Sequence, residues 1–303
     1  MQLVLVTVGL LLSGGLAALL TDSFPRVCRT LSVGGAIMGC LVGLVPTLKV
    51  MLGIPVESLA IEWSIPGGAF VVGLDPLSAF FLLPILVLSA LAAAYGGEYM
   101  QSYRADKSLG LAGFLLNLLV ASMVLVVVAR NGLLFIMAWE LMTISAFFLV
   151  TFEHEKAEVR RAGWVYLVAA HLGVAFLIAL VILLGRSTGT LDFAGYRAAR
   201  QLGTVWTTLF FIFALIGFGA KAGFVPWHVW LPDAHPAAPS HVSAIMSGVM
   251  IKTGIYGILR VATILGGPAF WWGPSLVVIG LVGGLLGILL ALVERDMKRV
   301  LAY

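Results

Sequence analysis

Charge is what this sequence has least of. Asp, Glu, Lys and Arg make up 11% of its 303 residues, while 61% are hydrophobic. Soluble domains carry about 25% charged residues. The mean hydropathy is +1.09. A soluble chain of this length exposes too much surface for so few charges, and disorder needs the opposite composition. Cysteine is nearly absent as well. Cys28 and Cys40 support neither a disulfide framework nor an iron–sulfur or zinc site. There is no phosphate-cradling loop, no dinucleotide fingerprint and no nucleophile–base arrangement. The expectation is therefore no cofactor, no metal, no nucleic-acid partner and no bond chemistry in this chain. The short alternating segments of a membrane barrel are missing too. The apolar runs are about 20 residues long, which is the length of a membrane-crossing helix.

Nine such runs are predicted, at 2–20, 31–52, 76–97, 109–129, 131–152, 161–184, 204–224, 240–265 and 274–293, with the start of a tenth. The first has no positive residue before it and Arg26 and Arg29 after it. That is the reverse of a cleaved signal, so it reads as a helix with its N-terminus outside. Ten Lys/Arg fall in the loops 21–30, 98–108, 153–161 and 294–299. Six (Lys49, Arg130, Arg186, Arg197, Arg200, Arg260) fall on the other side. The bias makes the first set cytoplasmic, in the inner (cytoplasmic) membrane of a cell. The net charge of +4 thus carries topology, not an acidic partner. Segment 53–75 reads as a small hairpin outside, and 190–202 as an amphipathic connector at the interface. Trp227, Trp230, Trp271 and Trp272 read as interface anchors, and LVGGLLG (281–287) as a close-packing helix face. No low-complexity linker divides the chain, so 1–303 is one membrane domain. Its final ERDMKRVLAY runs a basic loop into the first turn of another span, and the expectation is a fragment, a split gene or a partial sequence.

Ionisable groups deep in a membrane are costly and are functional candidates by default. Glu140 lies nine residues into its run, about 14 Å deep, and is alone among fourteen acids in that position. Apolar surroundings favour its neutral form and a nearby cation its ionised form, so it can load and release a proton. Lys221 follows Gly217 and Gly219 and precedes Pro226, Pro232, Pro236 and Pro239. Prolines free backbone carbonyls, which lipid does not tolerate, so this stretch lines protein or water. Lys252 lies twelve residues after Ser240. His241 and Lys252 are eleven residues apart, so a regular helix puts both on one face, about 16 Å apart, with Gly248 and Tyr256. That makes a polar track from the interface to the membrane centre. His171, ten residues into the sixth run, can accept and donate a proton. His228 and His235 lie by the break. A single buried Lys or Glu can equally be a structural ion pair, and a lone His a bonded core residue.

Three stretches carry a resemblance: WELMTISAFFLV (139–150), GFGAKAGFVPWHVWLPDAHPAAPSHVSAIMSGVMIKTGIYGILR (217–260) and ERDMKRVLAY (294–303). With LDPLSAFF (74–81), they resemble the antiporter-like proton-translocating subunits of respiratory complex I, Mrp antiporters and membrane-bound hydrogenases, most of all the hydrogenase-4 branch. The resemblance implies an all-α, polytopic bundle of nine to ten spans with a helix broken near Pro226. It implies one five-helix repeat at 109–265, three preceding helices in 1–108, and the start of a second repeat in 266–303. It identifies Glu140 with the family's helix-five glutamate, Lys221 with the lysine of the broken helix and Lys252 with that of the next helix. Glu140 and Lys221 are then a pair, and His171 and His228 are further candidates on the proton line, to which the polar track adds His241. The implied function is redox-driven proton movement in a non-catalytic membrane subunit of an oxidoreductase complex. The implied partners are other membrane subunits, antiporter-like or quinone- or hydrogenase-anchoring, a peripheral redox module, and lipids. Two alternatives stay open: a Na⁺/H⁺ antiporter subunit, or a structural anchor for an oxidoreductase.

Overall fold

The computed structural model describes residues 1–65, 67–267 and 269–303. The apolar runs form helices whose ends are set by caps and by the loops' few polar residues. They are α1 (Gln2–Leu20), α2 (Pro25–Met51), α3 (Pro76–Tyr99), α4 (Leu109–Val128), α5 (Gly132–Val150) and α6 (Ala157–Thr188). Next come α7 (Thr204–Ala222), the short α8 (Leu231–Ala237), α9 (Ser240–Ile245), α10 (Lys252–Leu265), α11 (Trp272–Val293) and α12 (Met297–Ala302). Among the described residues nine spans are long and apolar enough to cross a membrane; one is the broken pair α7–α8, and another runs through α9 and α10. The chain is a multi-pass helical membrane protein. The second helix begins at Pro25, earlier than expected, because proline suits a first helical turn. Arg26 thus sits in that turn and Arg29 in the next.

The expected hairpin is present as β1 (Val56–Glu62) and β2 (Ala69–Leu74), an antiparallel pair. Its tip at position 66 lies outside the described residues. It marks one face of the bundle. The Val72–Ala129 and Asn131–Asp192 bridges tie the α4–α5 and α6–α7 connections to that face. The connector after α6 ends in a 3₁₀ turn, Gly195–Leu202, that buries Tyr196 and Ala199. Side-chain caps fix the helix starts nearby. Asp75 accepts from the Ser78 amide, and Asn131 from those of Leu133 and Leu134. Each such cap contributes about 1 kcal/mol.

Two close approaches need glycine. A Cβ on Gly14 would come 2.7 Å from the Gly35 Cα, so α1 and α2 pack backbone to backbone there. A Cβ on Gly254 would come 2.6 Å from the Phe218 carbonyl oxygen and 3.0 Å from Ala222, which locks α10 against the end of α7. Gly254→Ala is expected to lower stability by about 1–3 kcal/mol through overpacking, read as a lower thermal midpoint in detergent.

Two expectations fail here. Trp230 and Trp272 are not interface anchors. They are 1% and 2% exposed, and Trp272 stacks on Phe211 with ring centroids 4.1 Å apart. Their amphipathic character suits an interface, but here it serves a polar bond inside the bundle and an aromatic stack. Of the glycines in 281–287 only Gly287 makes a close approach, a Cβ there coming 2.7 Å from the Tyr303 carbonyl oxygen. Gly284 has nothing within 4 Å, and α11 lies almost wholly exposed on the flank of the bundle.

Candidate functional site

The α7 helix ends in a left-handed Gly223, and the chain resumes helical winding only at a 3₁₀ turn, Trp227–Trp230, that leads into α8. The prolines dictate this, since each removes a backbone donor. A break in a membrane must have its freed carbonyls satisfied. Trp230 does so at one place, its indole N–H donating to the Ala220 carbonyl at 3.0 Å. The Phe224 amide takes the Gly219 carbonyl at 2.9 Å.

Lys221 lies at the edge of that break and is 2% exposed. Its amine donates to Tyr166 Oη at 2.7 Å and Thr143 Oγ1 at 3.1 Å. It also sits 4.9 Å from the centre of the Tyr166 ring. The phenol in turn donates to the Thr143 carbonyl at 3.4 Å, and the ring packs edge-on against Trp230. An ammonium in a dry bundle needs acceptors, and both that it finds here are hydroxyls.

Glu140 is on the same helix as Thr143, one turn earlier, and so on the same face. Its Oε2 is 3.5 Å from His171 Nε2. His171 Nδ1 bonds the Leu167 carbonyl at 2.9 Å. Glu140 Oε1 is buried without a hydrogen-bond partner. Among the described residues Glu140 and Lys221 form no direct ion pair. Tyr166 and Thr143 bracket the lysine instead. Sequence reasoning singles out neither. Thr143 is three residues after Glu140, and that spacing is the available signal. Tyr166 is a phenol inside WVYLV and reads as ordinary apolar filling.

The single polar face through His241 and Lys252 does not form. A π-helical turn, Met246–Met250, interrupts the span between them. Its wider winding rotates α10 out of register with α9. His241 (5% exposed) and Tyr256 are buried, whereas Gly248 and Lys252 are exposed. The Lys252 amine donates to the Ser247 carbonyl at 2.6 Å, inside that same turn. Lys252 is therefore exposed in this chain, and among the described residues it makes no hydrogen bond or ion pair with Glu140 or Lys221. His228 is half-buried at the break with an unpartnered Nδ1. His235 is buried, with Nδ1 3.1 Å from Ser243 Oγ.

A second charged cluster sits at the hairpin face. Arg260 grips Asp75 with both terminal nitrogens, at 2.5 and 2.8 Å, and also reaches Ser78 Oγ at 2.9 Å. Arg130 reaches Ser78 Oγ at 2.8 Å and Asp75 Oδ1 at 3.3 Å. Burial works against the Asp75 carboxylate, but the Arg260 hydrogen bond and the two guanidinium charges hold it well below the usual carboxylate range. The topology count treats Arg130 and Arg260 as free loop charges. They are instead tied to one acid 55 and 185 residues earlier in the chain, a pairing that no local pattern announces.

Residues 129–303, more than half of the chain, match the family described as NADH:quinone oxidoreductase/Mrp antiporter, TM. The chain belongs to this family. Members among its relatives include hydrogenase-4 component B of Escherichia coli K12. It is 44% identical over 233 residues, covering 76% of this chain and 34% of that protein. Formate hydrogenlyase subunit 3 of the same organism is 29% identical over 275 residues, covering 89% of this chain and 42% of that protein. This chain thus spans between a third and a half of the length of these relatives. A subunit of an archaeal membrane-bound sulfane sulfur reductase superposes over 100% of this chain and 62% of its own, with a TM-score of 0.85 at 22% identity, and so shares the fold. A subunit of the Mrp complex from Dietzia sp. DQ12-45-1b covers 97% of this chain and 32% of its own, with a TM-score of 0.80 at 25% identity. The helix break lies inside the matched family region.

Proposed function

We propose that this chain moves protons through the membrane as a non-catalytic subunit of a redox-driven complex of the hydrogenase-4, formate hydrogenlyase or complex I type. The observation that carries this reading is Lys221, a lysine 2% exposed beside a broken helix, whose amine is held by two hydroxyls and no carboxylate. A structural lysine would be locked by an acid. This one has neighbours that tolerate both its charged and its neutral state, because a hydroxyl accepts from an ammonium and donates to an amine. Glu140, one turn from Thr143, supplies a second protonatable group, and His171 a third.

The driving step is electrostatic. A unit charge brought to about 6–7 Å changes a site's energy by roughly 2.5 kcal/mol at an effective dielectric of 20. Such a change alters proton occupancy nearly a hundredfold without moving a helix. The Glu140–His171 edge reaches the bundle's exterior, since His171 is half-exposed. A charge on a neighbouring membrane subunit acts there, and the redox centre resides in a peripheral module outside this chain. In this reading the bundle lies in the inner membrane with the hairpin face and N-terminus outside. Residues 109–265 form the first antiporter-like repeat, and 266–303 lead into a second.

In the parent complex reconstituted into vesicles, Glu140→Gln is expected to cut substrate-driven proton uptake at least about tenfold, as loss of a positioned acid–base group does. Unchanged uptake would overturn the reading. The likeness to the Mrp complex favours a second reading, a subunit that exchanges Na⁺ for H⁺. Sodium-dependent proton flux without any redox substrate would decide for it.

A further inference from the structure

We infer that Glu140 and His171 hold one proton between them, the Glu140 carboxyl donating to His171 Nε2, with His171 as the residue that positions it. This rests on the proposed proton-moving function and deepens it by giving each of the two groups a separate part. The Leu167 carbonyl decides the first half of the assignment. It lies 2.9 Å from His171 Nδ1, and a carbonyl only accepts, so Nδ1 carries a hydrogen. In the neutral imidazole Nε2 is then a bare lone pair. It faces Glu140 Oε2 at 3.5 Å. Two lone pairs aimed at one another repel, so a proton belongs between them. Bonds of this kind are often long at rest and tighten when the group acts.

The surroundings put that proton on the carboxyl. Glu140 Oε1 is buried and has no hydrogen-bond partner. A carboxylate spreads its charge over both oxygens, and leaving one of them dry and bare is costly. In a carboxylic acid Oε1 is an uncharged carbonyl, and the same burial costs far less. Asp75 shows the contrast, with Arg260 nitrogens on both of its oxygens. His171 is the one ion-pair partner of Glu140 among the described residues. The other donors within a helical turn are committed elsewhere. The Lys221 amine donates to Thr143 and Tyr166, the Tyr166 phenol to the Thr143 carbonyl, and the Thr143 hydroxyl to the Trp139 carbonyl. Glu140 and His171 also lie near the middle of α5 and α6, on the bundle's outer side. An uncharged acid–imidazole pair suits apolar surroundings there, and an ionised carboxylate does not.

The pair performs one closed step. A cation brought to the carboxyl side breaks the Oε2–H bond as an Nε2–H bond forms, which leaves a carboxylate beside an imidazolium at the same net charge. A cation brought to the imidazole side returns the proton to oxygen. The ring does not pass the proton through itself. Releasing the hydrogen on Nδ1 would require the Leu167 carbonyl to take it up, and a peptide carbonyl only accepts a hydrogen bond. His171 is therefore a dead end that receives a proton and gives it back through Nε2, and the group that exchanges protons with the rest of the bundle is Glu140.

Two spectroscopic measurements on the complex in lipid vesicles test this. With heavy-nitrogen-labelled histidine, the His171 resonances are assigned by their loss in His171→Gln. They are expected to show a protonated Nδ1 and an unprotonated Nε2; the opposite tautomer, or an imidazolium, overturns the assignment. In the infrared, the parent is expected to show the carbonyl stretch of a protonated carboxyl that is lost in Glu140→Gln. A spectrum from which that substitution removes no such band overturns the shared proton. In His171→Phe the acid has no acceptor, and the band is expected to move to higher frequency. In His171→Gln an amide oxygen accepts in place of Nε2, and the band is expected to return toward its parental position. A band at the same frequency in all three proteins overturns the positioning role of His171. Proton uptake separates this inference from the function beneath it. If the spectra are as expected while Glu140→Gln takes up protons at the parental rate, the pair stands and the proton-moving function falls. If the spectra fail while Glu140→Gln still cuts uptake, only the shared proton falls.

Discussion

Lys221→Met is expected to abolish proton translocation by the assembled complex while leaving the thermal midpoint of the bundle unchanged or raised. The two halves of this outcome have one cause. The amine is taken out of water at 2% exposure and recovers two hydrogen bonds to neutral hydroxyls. Holding an ion in such a place costs several kcal/mol, and replacing buried charges with apolar groups of similar volume is often neutral or stabilising. Methionine fits because its thioether is flexible and of similar length. A lysine kept for architecture would behave in the opposite way: its loss would destabilise the fold, and transport would fail only through misassembly. The pairing of vesicle uptake with a detergent melting curve separates these cases. Retained uptake in Lys221→Met would remove the basis of the proposed function.

Asp75→Asn is expected to do the reverse, with a large loss of stability. Asp75 is the sole carboxylate among the described residues that binds Arg130 and Arg260, and it also caps α3. Removing one partner of a buried ion pair costs about 3–5 kcal/mol. The Asp75 side chain is 40% exposed, so solvent reduces this to roughly 2 kcal/mol. For a chain of 303 residues that is a fall of about 3 °C in the melting midpoint. Asparagine still caps the helix, so the loss reports the charge. The pH dependence has a definite sign. The carboxyl is held below its ordinary value in the folded state, so its contribution is complete above about pH 4 and is lost only as pH falls below that. The difference between parent and variant should be constant from about pH 8 to about pH 5 and shrink in stronger acid. A difference that grew on acidification would contradict the Asp75–Arg130–Arg260 network.

The membrane spans were legible in sequence because one property, the length of an apolar run, decides them. The break after Lys221 was legible because proline and glycine act locally. The hairpin came from the same punctuation. What stayed hidden depends on distance or on winding. Arg260 meets Asp75 across 185 residues. Tyr166 reaches Lys221 across 55 residues, and its phenol looks like core until the break is folded beside it. The π turn at Met246–Met250 changes which way Lys252 faces, yet MSGVM contains nothing that distinguishes it from regular helix. Reading a face from an eleven-residue spacing assumes uniform winding, and this span does not have it.

The indole of Trp230 has a kinetic meaning beyond satisfying a carbonyl. Were the gap between α7 and α8 to swing like a hinge, the Ala220 oxygen would lose the indole donor that satisfies it. That stranded acceptor costs about 1–3 kcal/mol before any other contact is broken. The bond thus biases the discontinuity against hinging. Under the proposed function, this favours proton steps by torsions of the lysine stem and the Tyr166 hydroxyl, on the nanosecond scale of side-chain motion, over rocking of the α7–α8 elbow.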